Sequence, residues 1–391
     1  MGKAYQKSFI FARSLLEMIY LHIPFCKQKC SYCNFHFSTS LRLKDEMLQA
    51  LAKEISLRKN EIPGKTLKTL YFGGGTPSLL SPNEINQLLD EVLKYFSFDE
   101  DIEITLEANP DDLNENFLKE IYKAGINRLS IGTQSFFDAD LQLMNRAHNS
   151  QQAEASIKRS QDIGIENISI DLIYGSPTSN FQIWKQNLIK SIELQVPHIS
   201  SYALTIEPKT ALENWIGKGK IPAPKERHQN QEFYYMVDFL KEHGFQHYEI
   251  SNFAKPNYHS KHNSAYWKYE PYLGIGPSAH SYNGRDIRSW NIANNPLYIK
   301  HLNQGNLPLE KEVLSEKDRY NEMLMIGLRT IWGVDLERMK AQFSSEIYEQ
   351  CLKSLQPKID EGMLIIDRHH LKIPERHWFF ADGIAADLFL I

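Results

Sequence analysis

The chain has 391 residues, 42% hydrophobic, and a formal net charge of −4, which allows one large core with an appendage or two to three smaller domains. That balance advertises no nucleic-acid partner, and no apolar run reaches the roughly 18 residues of a spanning helix, although peripheral membrane contact stays open. Three of the four cysteines are clustered and the fourth, Cys351, is far away, so a disulfide framework is excluded and a reducing, cytoplasmic setting is expected.

Residues 1–17 carry Lys3, Lys7 and Arg13 and no acid before Glu17. The apolar stretch Phe9–Leu16 is broken by Arg13 and lacks a small-residue cleavage site, so a signal peptide is not expected. Translation starting at Met18 is the simpler reading.

From Tyr20 to Asn34 an apolar, strand-like run passes into a polar loop holding Cys26, Cys30 and Cys33. Leu48, Leu51, Ile55 and Leu57 then recur at helical spacing. Thr69–Phe72 reads as a second strand, ending in Gly73-Gly74-Gly75-Thr76-Pro77. Ser81-Pro82-Asn83-Glu84 combines a capping serine, a proline at the first helical position and an acid at the third, which predicts a helix to about Phe96. Ile102–Leu106, Arg128–Ile131, Asn167–Ile173 and Ile199–Leu204 read as further strands, separated by helices at 115–124, 151–163 and 181–194. Six strands alternating with helices predict an α/β fold with a parallel sheet and right-handed crossovers. A β/α barrel, complete or partial, and a doubly wound open sheet both build their sites at the strand ends where the unusual polar residues fall.

Residues 216–225 read as a loop and 226–242 as a last barrel helix. Between His243 and Tyr282 lie His243, His247, His259, His262 and His280, interleaved with six tyrosines and Trp267. This stretch is too rich in Pro, Gly and Asn for long helices. Helical patterning returns at 315–330, 335–342 and 345–355, followed by a hairpin at 363–373, which suggests a smaller, mainly helical domain.

Three thiolates on one short loop suit a cubic 4Fe-4S cluster with one iron left open to chemistry. The competing reading is zinc with His36 or His22 as a fourth ligand, but closed structural zinc sites usually use two ligand pairs, and no second pair is present. Gly73–Gly75 taken alone is as well explained by a plain turn, and it lacks the lysine of a phosphate-binding loop. Glu107 and Asp171 taken alone could be helix caps, and Arg146 a solvated helix residue. Their succession at strand ends is the stronger signal.

With Tyr32 before the third cysteine, the triplet resembles the signature of radical S-adenosylmethionine (SAM) enzymes. The resemblance implies a partial (β/α)6 barrel, a 4Fe-4S cluster on Cys26, Cys30 and Cys33, and SAM on the open iron, cleaved on reduction to a 5′-deoxyadenosyl radical. It narrows to the branch containing oxygen-independent coproporphyrinogen III dehydrogenase and the HemW-like haem chaperones. Tyr20 to Cys33, Gly73 to Pro77, Glu107, Gln134 in Ser-Ile-Gly-Thr-Gln-Ser, Arg146 in Met-Asn-Arg and Asp171 in Ile-Asp-Leu-Ile-Tyr-Gly carry it, over roughly Met18 to Trp267. By that resemblance Tyr20, Tyr32, Gly74, Gly75, Thr76, Glu107, Gln134, Arg146 and Asp171 are SAM contacts. Glycines let backbone approach the methionine end, Glu107 suits ribose hydroxyls and Arg146 suits a carboxylate.

Two positions divide the branch. The dehydrogenase carries a further cysteine where this chain has Phe35, whereas HemW-like proteins carry His-Asn-x-x-Tyr-Trp, matched by His262-Asn263-Ser264-Ala265-Tyr266-Trp267. The resemblance therefore implies a haem chaperone with His262, Tyr266 and Trp267 at the haem. Without it, His262 and Trp267 read as a cover for the barrel mouth. It also implies acceptor haemoproteins such as respiratory enzymes, peripheral membrane association and homodimerisation. The expected organisation is an extension at 1–17, a radical SAM core at 18–245, a His/aromatic-rich segment at 246–307 and a C-terminal domain at 308–391.

Overall fold

A computed structural model describes residues 17–61, 64–177 and 179–391; the readings made for the amino-terminal extension lie outside them, apart from Glu17. Six strands, β1 (Met18–Ile23), β2 (Thr66–Gly74), β3 (Ser97–Ala108), β4 (Arg128–Gln134), β5 (Asn167–Tyr174) and β6 (His198–Ala203), lie side by side in chain order. All are parallel, with Tyr20 beside Tyr71 and Glu107 beside Ser130 in the register. Helices α1 (Lys44–Arg58), α2 (Pro82–Leu93), α3 (Glu115–Lys123), α4 (Asp138–Leu143), α5 (Ser150–Ile163) and α6 (Phe181–Glu193) make the crossovers. Helices α7 (Ala211–Gly217) and α8 (Glu226–Glu242) follow β6. Every residue of β4 is buried, as expected for a central parallel strand covered on both faces. The α/β prediction and the six-strand core are thus observed.

Strands β2 to β5 are longer than predicted, chiefly because their polar ends carry no apolar signal, whereas β6 has the predicted length, shifted by one residue. The start of α2 is built as read: Ser81 Oγ accepts from Glu84 N at 3.3 Å and Glu84 Oε2 accepts from Ser81 N at 2.7 Å. Helices α4 and α7 have six and seven residues, too few to show a period.

Residues 246–307 extend the same sheet at both edges. Strand β8 (Asn252–Ala254) adds antiparallel to β6 and β7 (Gln246–Glu249) antiparallel to β8, while β9 (Leu273–Ile275) adds parallel to β1 beyond the short helix α9 (Lys261–Trp267). Strands β10 (His280–Tyr282), β11 (Ile287–Asn291) and β12 (Leu309–Val313) form a separate antiparallel sheet, with α10 (Asn295–Asn303) between the last two. A buried ion pair fastens this segment to the core. Arg58 Nη1 donates to Glu54 Oε1 at 2.9 Å and to the Gly274 carbonyl at 2.8 Å, and Glu54 also accepts from Asn291, Gly276 N and Tyr298. With those partners the two buried charges are solvated by protein groups, the condition for tolerating such a pair.

The C-terminal part holds α11 (Glu316–Gly327), β13 (Val334–Asp335), α12 (Leu336–Gln342), α13 (Ser345–Asp360), the hairpin β14 (Ile365–Asp367) and β15 (His370–Lys372), and α14 (Ala381–Ala386). Cys351 is fully buried there.

Candidate functional site at the strand ends

The cysteine loop leaves β1 and is clamped over the ends of the following strands. Cys26 N donates to the Ser38 carbonyl at 3.0 Å, and Ser31 Oγ to the Leu143 carbonyl at 2.7 Å. Gln28 donates to the Asn145 carbonyl and Asn145 returns a bond to the Lys29 carbonyl, both at 2.7 Å. Lys27 pairs with Asp111 and Asp112. These bonds fix the shape of the loop, and Cys26, Cys30 and Cys33 are free, half-buried thiols on it. Burial raises the Cys26 thiol to about 11, because a low-dielectric setting disfavours the thiolate.

Under the loop lies a cavity of about 200 Å³ lined by the three cysteines, Tyr32, Gly74, Gly75, Thr76, Glu107, Gln134, Arg146 and Asp171. Eight of the nine SAM-contact candidates thus meet at one place, drawn from the ends of β2, β3, β4 and β5, the cysteine loop and the segment after α4. Tyr20 is the exception: it faces a second cavity. Asn109, Ser130 and Asn145 line the first cavity too; as lone polar residues they carry no signal in sequence.

The glycine run serves close approach. A Cβ on Gly75 would lie 2.5 Å from the Phe25 carbonyl oxygen, and one on Gly74, at φ +108°, 2.6 Å from the His22 ring. Gln134 is the strained member, a buried non-glycine residue at φ 63° beyond an irregularity in the β4–β5 pairing. Such strain is held only where the surroundings impose it.

Burial pushes the Glu107 carboxyl up to about 7, against hydrogen bonds from Tyr71 OH at 2.8 Å and Gly74 N at 3.1 Å, with the Asp171 carboxylate adding to the rise. Burial likewise lifts Asp171 to about 6. Two buried acceptors on one cavity suit hydroxyl or ammonium donors. Arg146, read in sequence as a carboxylate partner, donates to Cys30 Sγ at 3.1 Å, Asn109 Oδ1 at 2.7 Å and the Gly132 carbonyl at 2.9 Å. Its buried Nε has no partner among the described residues. Donation to a ligand sulfur is a recognised way to tune an iron–sulfur centre. Three free thiols, a donor on one sulfur and paired acceptors beside a backbone cradle fit a cluster with SAM next to it.

The second cavity, about 670 Å³, is walled by Tyr266, Tyr269, Tyr272 and Tyr282 with Tyr20, His22, His36, His280 and Arg288. Phe35, 73% exposed, lines both cavities. The 262–267 element is divided among three settings. Tyr266 faces the second cavity. Trp267 borders a separate space of about 150 Å³ beside Trp332. His262 lines neither: it is 1% exposed, with Nδ1 on Thr69 Oγ1 at 2.8 Å and Nε2 on Tyr266 OH at 2.9 Å. Burial lowers it to about 3, so its ring is neutral.

A parallel α/β sheet with three free cysteines on the loop after its first strand, and acceptors along the neighbouring strand ends, is the architecture of a radical SAM protein. Residues 20–186 match the Radical SAM superfamily and residues 314–380 the HemN C-terminal domain, and membership of that superfamily implies a 4Fe-4S cluster and SAM. The chain belongs to the family of HemW heme chaperones. It is 33% identical to heme chaperone HemW of Lactococcus lactis over 93% of this chain and 95% of that one. It is 34% identical to heme chaperone HemW of Bacillus subtilis over 88% and 90%. The solved structure of coproporphyrinogen III oxidase (HemN) from Escherichia coli, described as a radical SAM enzyme, superposes with a TM-score of 0.84 at 24% identity, covering 97% of this chain and 91% of that one. At that identity the likeness shows the fold.

Proposed function

We propose that this chain is a haem chaperone: it carries a 4Fe-4S cluster on Cys26, Cys30 and Cys33 with SAM beside it, takes up haem in the larger cavity and passes it to acceptor haemoproteins. The observation that carries this reading is the tyrosine-walled cavity of about 670 Å³ adjoining the cysteine site across Phe35. Tyrosines offer flat apolar area with a polar tip, which suits a porphyrin face and its edge. The bound cluster and SAM would supply one-electron chemistry; the chain's own groups bind and orient them, Glu107 and Asp171 as acceptors, Arg146 as a donor to sulfur, and the glycines as a backbone cradle.

Phe35, where the dehydrogenase has a further cysteine, favours the chaperone over coproporphyrinogen decarboxylation. Among the described residues no helix is long and apolar enough to cross a membrane; the family resemblance supports delivery to membrane-bound respiratory acceptors by peripheral contact from the cytoplasmic side, and a homodimer. The test is an anaerobic titration of the reconstituted protein with haem and with coproporphyrinogen, measuring 5′-deoxyadenosine in each. Stoichiometric haem binding without decarboxylated product is expected, and product formation would overturn the chaperone-only reading. Replacing any one of Cys26, Cys30 or Cys33 by Ala is expected to abolish cluster absorbance and iron content.

A further inference from the structure

We infer that His280 is the imidazole that ligates haem iron in this chain, and that His262 is a positioning residue holding the cavity wall. The inference rests on the reading of the larger cavity as the haem pocket. An axial histidine needs a ring nitrogen with a free lone pair facing the porphyrin. His262 has none, since Thr69 and Tyr266 engage both nitrogens at 2.8 and 2.9 Å. Freeing either would leave an interior hydroxyl without its partner, a cost of about 1–3 kcal/mol before any iron bond forms.

Of the other histidines on the cavity, His22 is engaged at both ring nitrogens and His36 at one. His22 is 7% exposed and contacts Tyr20 OH through Nδ1 at 3.3 Å and the His36 carbonyl through Nε2 at 3.2 Å. His36, half-buried, donates Nε2–H to Asn295 Oδ1 at 2.7 Å and lies against the His22 ring; its Nδ1 has no hydrogen bond among the described residues, so it is the competing ligand, tied down at one nitrogen where His280 is tied at neither. His280 is exposed on the cavity wall, and among the described residues no hydrogen bond or ion pair engages its ring, which rests beside Trp290 at 5.9 Å. Partial burial also lowers its proton affinity, keeping the lone pair available at neutral pH.

The backbone under His280 is held in place. Its strand runs so close to β9 that a Cβ on Gly274 would lie 2.0 Å from the His280 carbonyl oxygen. The adjoining Ser281 Oγ accepts from Gly274 N at 2.9 Å and from the buried Arg58 at 3.0 Å. A ligand on a strand fixed this way is preorganised. Arg288, on the neighbouring strand β11 as the partner of Tyr282, two residues of register from His280, also lines the cavity and is ion-paired with Glu322 and Glu312. A haem propionate could take the place of one of those carboxylates.

The test uses full-length, cluster-reconstituted protein titrated with haem and followed by optical and resonance Raman spectra, with circular dichroism and cluster absorbance as controls for folding. Wild-type binding tests the cavity reading; failure to bind would overturn that reading and this assignment with it. Given wild-type binding, His280→Ala should shift the Soret band, remove the iron–histidine signature and weaken affinity about tenfold or more, and added imidazole should restore the spectrum. His262→Ala should weaken affinity yet keep the iron–histidine signature. An unchanged spectrum in His280→Ala, or loss of the signature in His262→Ala, His22→Ala or His36→Ala with His280 intact, would overturn the assignment.

Discussion

Glu107 shows how a side chain's chemistry is set by where the fold puts it. Tyr71 and Gly74 N orient its carboxylate, and the remaining lone pairs face the small cavity, where a charged acceptor contributes about 1.5–3 kcal/mol per hydrogen bond. Glu107→Gln keeps the shape and removes the charge. It should weaken SAM binding to reconstituted protein about tenfold in equilibrium dialysis, one factor of ten being about 1.4 kcal/mol; unchanged affinity would exclude Glu107 as a contact.

A second carboxylate reports on stability. Glu249 is 1% exposed, accepts from Asn252 through one oxygen and leaves the other unpartnered among the described residues. Burial pushes it from 4.5 up to about 7. The folded state therefore holds a proton that the unfolded chain releases, and this group's contribution to stability falls as pH rises from 4.5 to about 7. In Glu249→Gln the decline of Tm across that window should be shallower than in wild type, and parallel profiles would show that Glu249 does not cause it.

At the level of elements, the reading succeeds where one local cause decides the outcome. The α2 boundary is such a case, because Ser81, Pro82 and Glu84 satisfy the helix's first donors among themselves. Ser81→Ala should cost about 1 kcal/mol, read as a lower urea midpoint with unchanged slope, and an unchanged midpoint would show that the box is dispensable. The six parallel strands were legible for a similar reason: strands covered on both faces are nearly continuous apolar runs bounded by Gly, Pro or Asn. Strands β9 and β10, three residues each, were not, since so short a run has no period and β9 is specified by pairing with β1 far away in sequence.

Across the whole molecule one apolar cluster joins Ile19, Leu129 and Ile170 of the sheet to Leu324, Leu355 and Trp378 of the C-terminal part. Backbone bonds from Ile250 to the Arg329 carbonyl at 3.0 Å and from Ile331 to the Tyr248 carbonyl at 3.1 Å also join the two parts. Shared burial of this kind predicts cooperative unfolding. Leu328, fully buried, is the probe: Leu328→Ala should lower stability by about 2–5 kcal/mol and move the tryptophan-fluorescence and far-ultraviolet transitions together. Separation of the two curves would mean that the C-terminal part unfolds alone.

The chain's order of residues was sufficient for the cysteine triplet, the glycine cradle and the acceptors at the strand ends, because each is a short motif whose spacing along the backbone is its geometry. It was not sufficient for the larger cavity or for the choice among its histidines. Those depend on β9 docking beside β1, on Thr69 and Tyr266 enclosing His262, and on Asn295 reaching His36. Such contacts join residues remote in sequence, so no local periodicity records them, and only packing determines which imidazoles keep a free nitrogen.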